Sequence, residues 1–306
     1  MCFSSTFFGL AFVLFALLLA IDPHDTARFP GFGIVGIDDR NPRTAHASRA
    51  RDPNFDSAIF GNSTGQLIDP RNLSAATGLR FTQLTVPGTG PVEQTAVLDW
   101  FLARHKQPGS LVLTTDPSWC ARTIDPSPLH PFPFWLYGDD LGYLRHIVNS
   151  KSIDRAVWRL QVAAGLRPRN DPVGYEDYMR GQGGTFVPPA AMPAADLTTD
   201  GTPLRFPWVD RLAQIIAGLP AETRVVAFMP PVQSALLGDG VVIAACKAAL
   251  VTATSGRPHT AFVDARTDSA ATRDPANFMD GIHYGHLVAR TIEDRIIVAL
   301  RDEVRQ

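Results

Sequence analysis

The sequence predicts an α/β fold, a three-layer α/β/α sandwich around a mainly parallel sheet with a helical and loop insertion. Three observations carry this. Near-continuous apolar runs of strand length recur, with SLVLT at Ser110 to Thr114, RVVAFM at Arg224 to Met229 and TAFV at Thr260 to Val263, which is how strands buried on both faces read. Helical patterns separate several of them, and strands alternating with helices argue for a parallel sheet covered on both sides. With 306 residues and 45% hydrophobic content, the chain can also bury a core large enough for one substantial domain once an apolar N-terminal stretch is set aside.

That stretch comes first. Phe7 to Ile21 is apolar apart from Gly9, with Ser4, Ser5 and Thr6 before it and Asp22 and Asp25 after it. Residues 1–27 therefore read as a membrane anchor or signal. No small-x-small site follows Ala20 and Cys2 precedes the run, so an uncleaved single span is favoured over a cleaved leader that would release the domain as a secreted protein. Residues 28–54, rich in Arg, Asp, Pro and Gly without periodicity, read as a juxtamembrane linker, and the domain proper is expected over 55–306.

Asp56 to Phe60 reads as the first strand and leads into Gly61-Asn62-Ser63; Arg80 to Val86 reads as the second, closed by Pro87-Gly88. The helix after it is well signalled. Gly90 can cap, Pro91 suits the first helical position, Glu93 falls in the first turn, and Val97, Leu98, Phe101 and Leu102 share an apolar face. Residues 116–203 break the rhythm with Pro and aromatic clusters, a helical stretch near Ile153 to Ala164 and a Gly/Pro-rich run from Gly181 to Pro203; they read as an insertion over the sheet. Helices are expected again over Trp208 to Leu219, Val241 to Thr254 and Gly285 to Val304.

A net charge of −2 leaves no basic surplus with which to neutralise a phosphate backbone, so no nucleic-acid partner is expected. Cys2, Cys120 and Cys246 have no metal spacing. Burial is the default fate of Cys246, and a Cys120–Cys246 disulfide is permitted without being readable from sequence.

A serine hydroxyl needs a base within hydrogen-bond reach, oriented in turn by a third group. Ser63 follows a strand through Gly61, at the sheet edge where open α/β sheets bind ligands; the plain alternative is that Ser63 caps the next helix. Asp280-Gly281-Ile282-His283 precedes the last helix. An Asp three residues before a His can accept the Nδ1 proton and leave Nε2 facing a serine from another strand; the plain alternative is that Asp280 caps the final helix or pairs with Arg290. His283 with His286 suggests no third metal ligand, so neither a metal nor a cofactor is expected.

The combination of Gly61, Ser63, Asp280 and His283 with α/β alternation between them resembles the SGNH hydrolase superfamily, whose fold is flavodoxin-like. FGNSTGQLIDPRNL, the Met229-Pro230-Pro231 turn and NFMDGIHYG are similar to membrane-anchored SGNH-like proteins related to alginate O-acetyltransferases and teichoic-acid D-alanylation proteins. The resemblance implies a serine-dependent esterase or O-acyltransferase that acts on an ester of a cell-envelope glycan or other acylated substrate through an acyl-serine. It also implies the bacterial inner membrane with the domain facing the periplasm, and a membrane acyltransferase as partner. The chain departs from the family at Asn62, where the hydrolases have Asp, and at Thr115-Asp116-Pro117, where they present an oxyanion-binding Asn. Losing one such donor costs about 3–4 kcal/mol of transition-state stabilisation. The backbone N–H groups of Ser63 and of Gly88 or Gly90 are the remaining oxyanion candidates, and Asn62, Asp116 and Trp119 are candidate substrate contacts. For Asp116, capping a turn and binding Arg122 stay open beside this. The departures also admit a noncatalytic SGNH-like binding or scaffold protein of an envelope polysaccharide-modifying system.

Overall fold

The five strands β1 (Ser57–Gly61), β2 (Phe81–Thr85), β3 (Ser110–Thr114), β4 (Arg224–Met229) and β5 (Thr260–Asp264) pair in parallel in the order β2-β1-β3-β4-β5. The computed structural model describes residues 2–34, 41–125, 127–128, 130–168, 171–184, 186–189, 203–238 and 240–302. Helices among these are α1 (Cys2–Ile21), α2 (Pro42–Arg49), α3 (Pro70–Thr77), α4 (Pro91–Arg104), α5 (Phe134–Tyr137), α6 (Asp140–His146), α7 (Ser150–Ala163), α8 (Pro207–Ala217), α9 (Val241–Ser255), α10 (Ala270–Arg273) and α11 (His286–Asp302). Part of the Gly/Pro-rich run from Gly181 to Pro203, part of the expected linker and the last residues of the expected C-terminal helix lie outside the described residues.

Because side chains alternate along a strand, the sheet feeds two cores. Ala58, Phe60, Leu84, Leu111, Leu113, Val225 and Ala227 face one, closed by α4, α8 and α9. Ile59, Phe81, Val112, Val226, Phe228 and Val263 face the other, closed by α3 and α11. This is the expected three-layer α/β/α sandwich. The chain leaves β1 for β2 and returns past it to β3, so connections diverge at the carboxyl ends of β1 and β3, the usual place for a ligand crevice.

The N-terminal expectation is corrected. Among the described residues, no helix is long and apolar enough to cross a membrane. The expected transmembrane anchor, the membrane as a partner and the inner-membrane placement with a periplasmic domain are therefore not supported. Phe7, Phe8, Leu10, Phe12 and Val13 of α1 are exposed, whereas its last turns pack on the domain. Leu18 is buried, and Leu14, Phe15, Leu19 and Ile21 pack against the first core beside α7. The segment that follows is pinned by a buried ion pair, Arg159 Nη2 to Asp25 Oδ1 at 2.6 Å, with Ser48 Oγ donating to Asp25 Oδ2 at 2.6 Å and Arg51 also bonded to Asp25.

The stretch read as a linker contains α2, which Asn41 caps through Arg43 N–H and Pro42 starts. Its Ala45, His46, Ala47 and Ser48 are buried, and His46 Nε2 lies 2.8 Å from Thr85 O at the end of β2. Burial, with the nearby Arg49 charge adding to it, pushes the His46 pKa down from 6.5 to about 3. The ring is therefore neutral near pH 7, with Nε2–H as its donor. His24, buried 3.2 Å from Ser152 Oγ, is likewise lowered to about 4, chiefly by burial.

Cys120 and Cys246 form a disulfide with a Cα–Cα distance of 5.5 Å. It joins the turn after β3 to α9 across 126 residues, a link that no local pattern announces.

Candidate active site

The nucleophile turn is shaped by close packing. Gly61 ends β1 at φ +142°, and a side chain there would overlap Thr114 of β3; one at Gly65 would overlap the same residue. Only glycine fits both approaches without displacing β3. Between them, Asn62 caps the short 3₁₀ turn Ser63–Gly65, its Oδ1 accepting from Thr64 N at 3.0 Å and from Thr64 Oγ1 at 2.7 Å. Asp69, and not Ser63, caps α3. The Ser63 side chain is thus left for another partner.

That partner comes from the loop before α11. Asp280 Oδ1 accepts from Ile282 N at 3.1 Å and from His283 N at 2.9 Å, and Oδ2 lies 2.6 Å from His283 Nδ1. His283 Nε2 lies 2.8 Å from Ser63 Oγ. Nδ1–H donates to the carboxylate and Nε2 accepts from the hydroxyl, the tautomer being assigned from these partners. Burial of Asp280 acts to raise its pKa, but the His283 backbone N–H, the His283 ring and the Ile282 N–H together outweigh it and bring the pKa below 3.8. Asp280 is therefore ionised at neutral pH and able to stabilise an imidazolium. Neither plain alternative holds, since Arg290 pairs with Glu293 at 3.0 Å and α11 starts only at His286.

Long-range bonds hold this loop in place. Gln233, just past β4, donates its N–H to Gly281 O at 2.8 Å. Tyr284, fully buried, donates its hydroxyl to Thr64 O and so joins the loop to the nucleophile turn. Among the described residues no cluster of His, Cys, Asp or Glu could hold a metal ion; His286 instead pairs with Asp177 at 3.1 Å.

No family model and no curated protein matches this sequence.

The other expected residues divide. Gly90 N–H bonds Glu93 Oε2 at 3.0 Å as part of the α4 capping box and is not available to an oxyanion. Gly88, at φ +65° on the same sheet edge as Ser63, borders a cavity of about 440 Å³ with Arg43, Pro87, His130 and Pro131 and stays a candidate donor, as does Ser63 N–H. Trp119 is buried at 1% exposure with Nε1 donating to Gln94 Oε1 at 3.0 Å, so the expected substrate contact is corrected. Of the alternatives open for Asp116, the structure shows the turn cap. The residue is 7% exposed, caps the turn after β3 through Ser118 N at 2.7 Å, and accepts from Asn62 Nδ2. Burial raises its pKa, against the hydrogen bonds from Ser118, Asn62 and Gln94. With its Nδ2 on Asp116 and its Oδ1 on Thr64, Asn62 shapes the turn, and the second hydrogen of its Nδ2 remains a donor that a substrate could meet.

Residues that the sequence did not single out complete the surroundings. Segment 171–184 of the insertion forms a strap along this rim, with Val173 O accepting from Gln83 N at 2.8 Å. A cavity of about 420 Å³ lies between the strap and α2, lined by His46, Arg49, Gln66, Thr85, Tyr175 and Glu176 among others. Ser63 is not in its wall; Gln66, in the same turn, is. Tyr178 of the strap touches the His283 ring. No local pattern marks these residues, because their roles arise only when distant segments meet.

Proposed function

We propose that the chain is a serine-dependent esterase or O-acyltransferase of SGNH-like type. The observation that carries this reading is the relay Asp280–His283–Ser63, with spacings of 2.6 and 2.8 Å, assembled from opposite ends of the chain at the carboxyl edge of a parallel sheet. Such a relay takes the hydroxyl proton as the oxygen attacks. Ser63 Oγ bonds to the ester carbonyl carbon while its proton passes to His283 Nε2, and Asp280 stabilises the imidazolium. Backbone N–H groups at Ser63 and Gly88 are the donors for the oxyanion. Collapse expels the alcohol, which takes the proton from His283, and leaves an acyl-serine that water or a sugar hydroxyl resolves. The 420 Å³ cavity is within the size range of small-ligand sites and would hold the body of the substrate, for which the resemblance suggests an acylated envelope glycan.

One observation favours a second reading, a binding module that has kept the fold. Asp116 acts as an acceptor where the resembling hydrolases have an amide donor, and Gly90 is spent on a helix cap, so oxyanion support is thin. A fluorophosphonate probe decides between the two. Ser63 is expected to be labelled in the wild type and unlabelled after Ser63→Ala, whereas a wild type as inert as that variant selects the binding module.

A further inference from the structure

Three successive residues of the strap reach both halves of the site. Glu176 Oε2 accepts from Gln66 Nε2 at 3.3 Å on the nucleophile side. Asp177 Oδ2 pairs with His286 Nε2 at 3.1 Å at the start of α11. Tyr178 meets the His283 ring in a T-shaped contact, with centroids 5.4 Å apart and planes at 79°, and its hydroxyl donates to Tyr284 O at 3.0 Å. The next residue, Met179, is buried in the second core and anchors the strap there.

His283 needs such support. Its Nδ1 is held by a carboxylate whose side chain is 47% exposed, where water competes for the same oxygens, and a rotation of the imidazole about its Cβ–Cγ bond would break both ring bonds at once. Apart from its two hydrogen-bonded neighbours, Tyr178 makes the ring-to-ring contact found for His283 among the described residues. An edge-to-face aromatic pair is worth about 0.5–1.5 kcal/mol beyond its area, enough to bias a ring between two rotamers.

We propose that Tyr178 is a positioning residue for His283, fixing the imidazole plane so that Nε2 meets Ser63 Oγ. The inference rests on the serine-esterase reading. Burial, with the Asp280 charge adding to it, pushes the Tyr178 pKa well up, so the phenol remains a donor to Tyr284 O. Tyr178 touches no reacting atom. It acts through His283, as second contacts do when they preorganise a catalytic group.

The test is the kinetics of fluorophosphonate labelling in the full chain. Ser63 Oγ forms the bond to phosphorus, the P–F bond breaks, fluoride leaves, and the hydroxyl proton goes to His283. Tyr178→Ala is expected to lower the maximal labelling rate about tenfold with the probe's apparent affinity unchanged, a loss of the size that follows when a reacting group is slightly misplaced. Tyr178→Phe, which keeps the ring, is expected to recover most of the rate. In a His283→Ala background Tyr178→Ala is expected to change nothing further, because residues acting through one group are not additive. An unchanged maximal rate in Tyr178→Ala overturns the proposal, as does an equal loss with or without His283. If Tyr178→Ala does not fold, Tyr178→Leu replaces it with the same expectations. A wild type that takes no label would instead sink the esterase reading itself, so the two failures are distinct.

Discussion

The two halves of the site are held by different physics. The turn that carries Ser63 is sterically set and more buried, with only Asn62 and Ser63 half-exposed over 61–66. Gly61 and Gly65 exist where they do because Thr114 leaves no room for a side chain, and the nearby His46 is buried and neutral. The loop that carries His283 is wetter and tethered, with the Asp280 side chain 47% exposed and the loop fixed by bonds to Gln233, Thr64 and Tyr178 from elsewhere in the chain. The contrast teaches that a serine can be placed by the packing of a strand end, whereas the histidine that meets it is positioned by the sum of several distant contacts.

The contrast has consequences that mutagenesis can break. The largest effect is expected at Asp280. Asp280→Asn should leave the fold intact, since the side chain lies at the surface, yet slow labelling of Ser63 by about 10²- to 10⁴-fold because the imidazole loses its orienting anion. A loss under threefold, measured as the maximal labelling rate, would mean that the tethers alone hold His283. Gly61→Ala should do the reverse and act on stability, lowering it by about 3 kcal/mol or more through an unfavourable φ combined with overlap on Thr114. Urea unfolding checks this, and a variant as stable as the wild type would show that the turn is not sterically fixed.

The most gradual effect is a pH dependence from two buried histidines, His46 beside the end of β2 and His24 beside α7. His46 and His24 have folded pKa values lowered to about 3 and about 4, against 6.5 unperturbed. Between 6.5 and those values the unfolded chain binds more protons than the folded one, so stability is full above about pH 6.5 and is lost as pH falls. Each histidine contributes a slope of up to about 1.4 kcal/mol per pH unit. Unfolding free energies at pH 7, 6 and 5 should decline, and His46→Gln should flatten the decline. Equal slopes in the two proteins would remove His46 from the account.

Much of the frame was legible in the sequence. SLVLT and RVVAFM coincide with β3 and β4 because strands buried on both faces carry unbroken apolar runs. Asp280 and His283 were legible because three residues of spacing let one carboxylate hold both a backbone N–H and a ring nitrogen. Other features were hidden by their range. The α2 helix reads as linker because its buried residues are small or polar, Ala45, His46, Ala47 and Ser48, and give no stripe of large apolar side chains. Tyr178 sits in a stretch without regular structure, and its partner is 105 positions away by number. The N-terminal run reads as a span because hydropathy does not say whether a Leu18 meets lipid or the domain, and here it meets the domain. Trp119 reads as a substrate contact from sequence but is buried and bonded to Gln94, while Asp116 takes the turn-capping alternative.

The strap has one more consequence, at the margin of the sheet. β2 is a terminal strand, and a terminal strand offers unpaired amides to any other extended chain. Val173 O occupies the Gln83 amide, and Thr82 Oγ1 donates to the same carbonyl at 3.1 Å. The strap thus covers part of the outer margin of β2, and loosening it would free that amide for another extended chain.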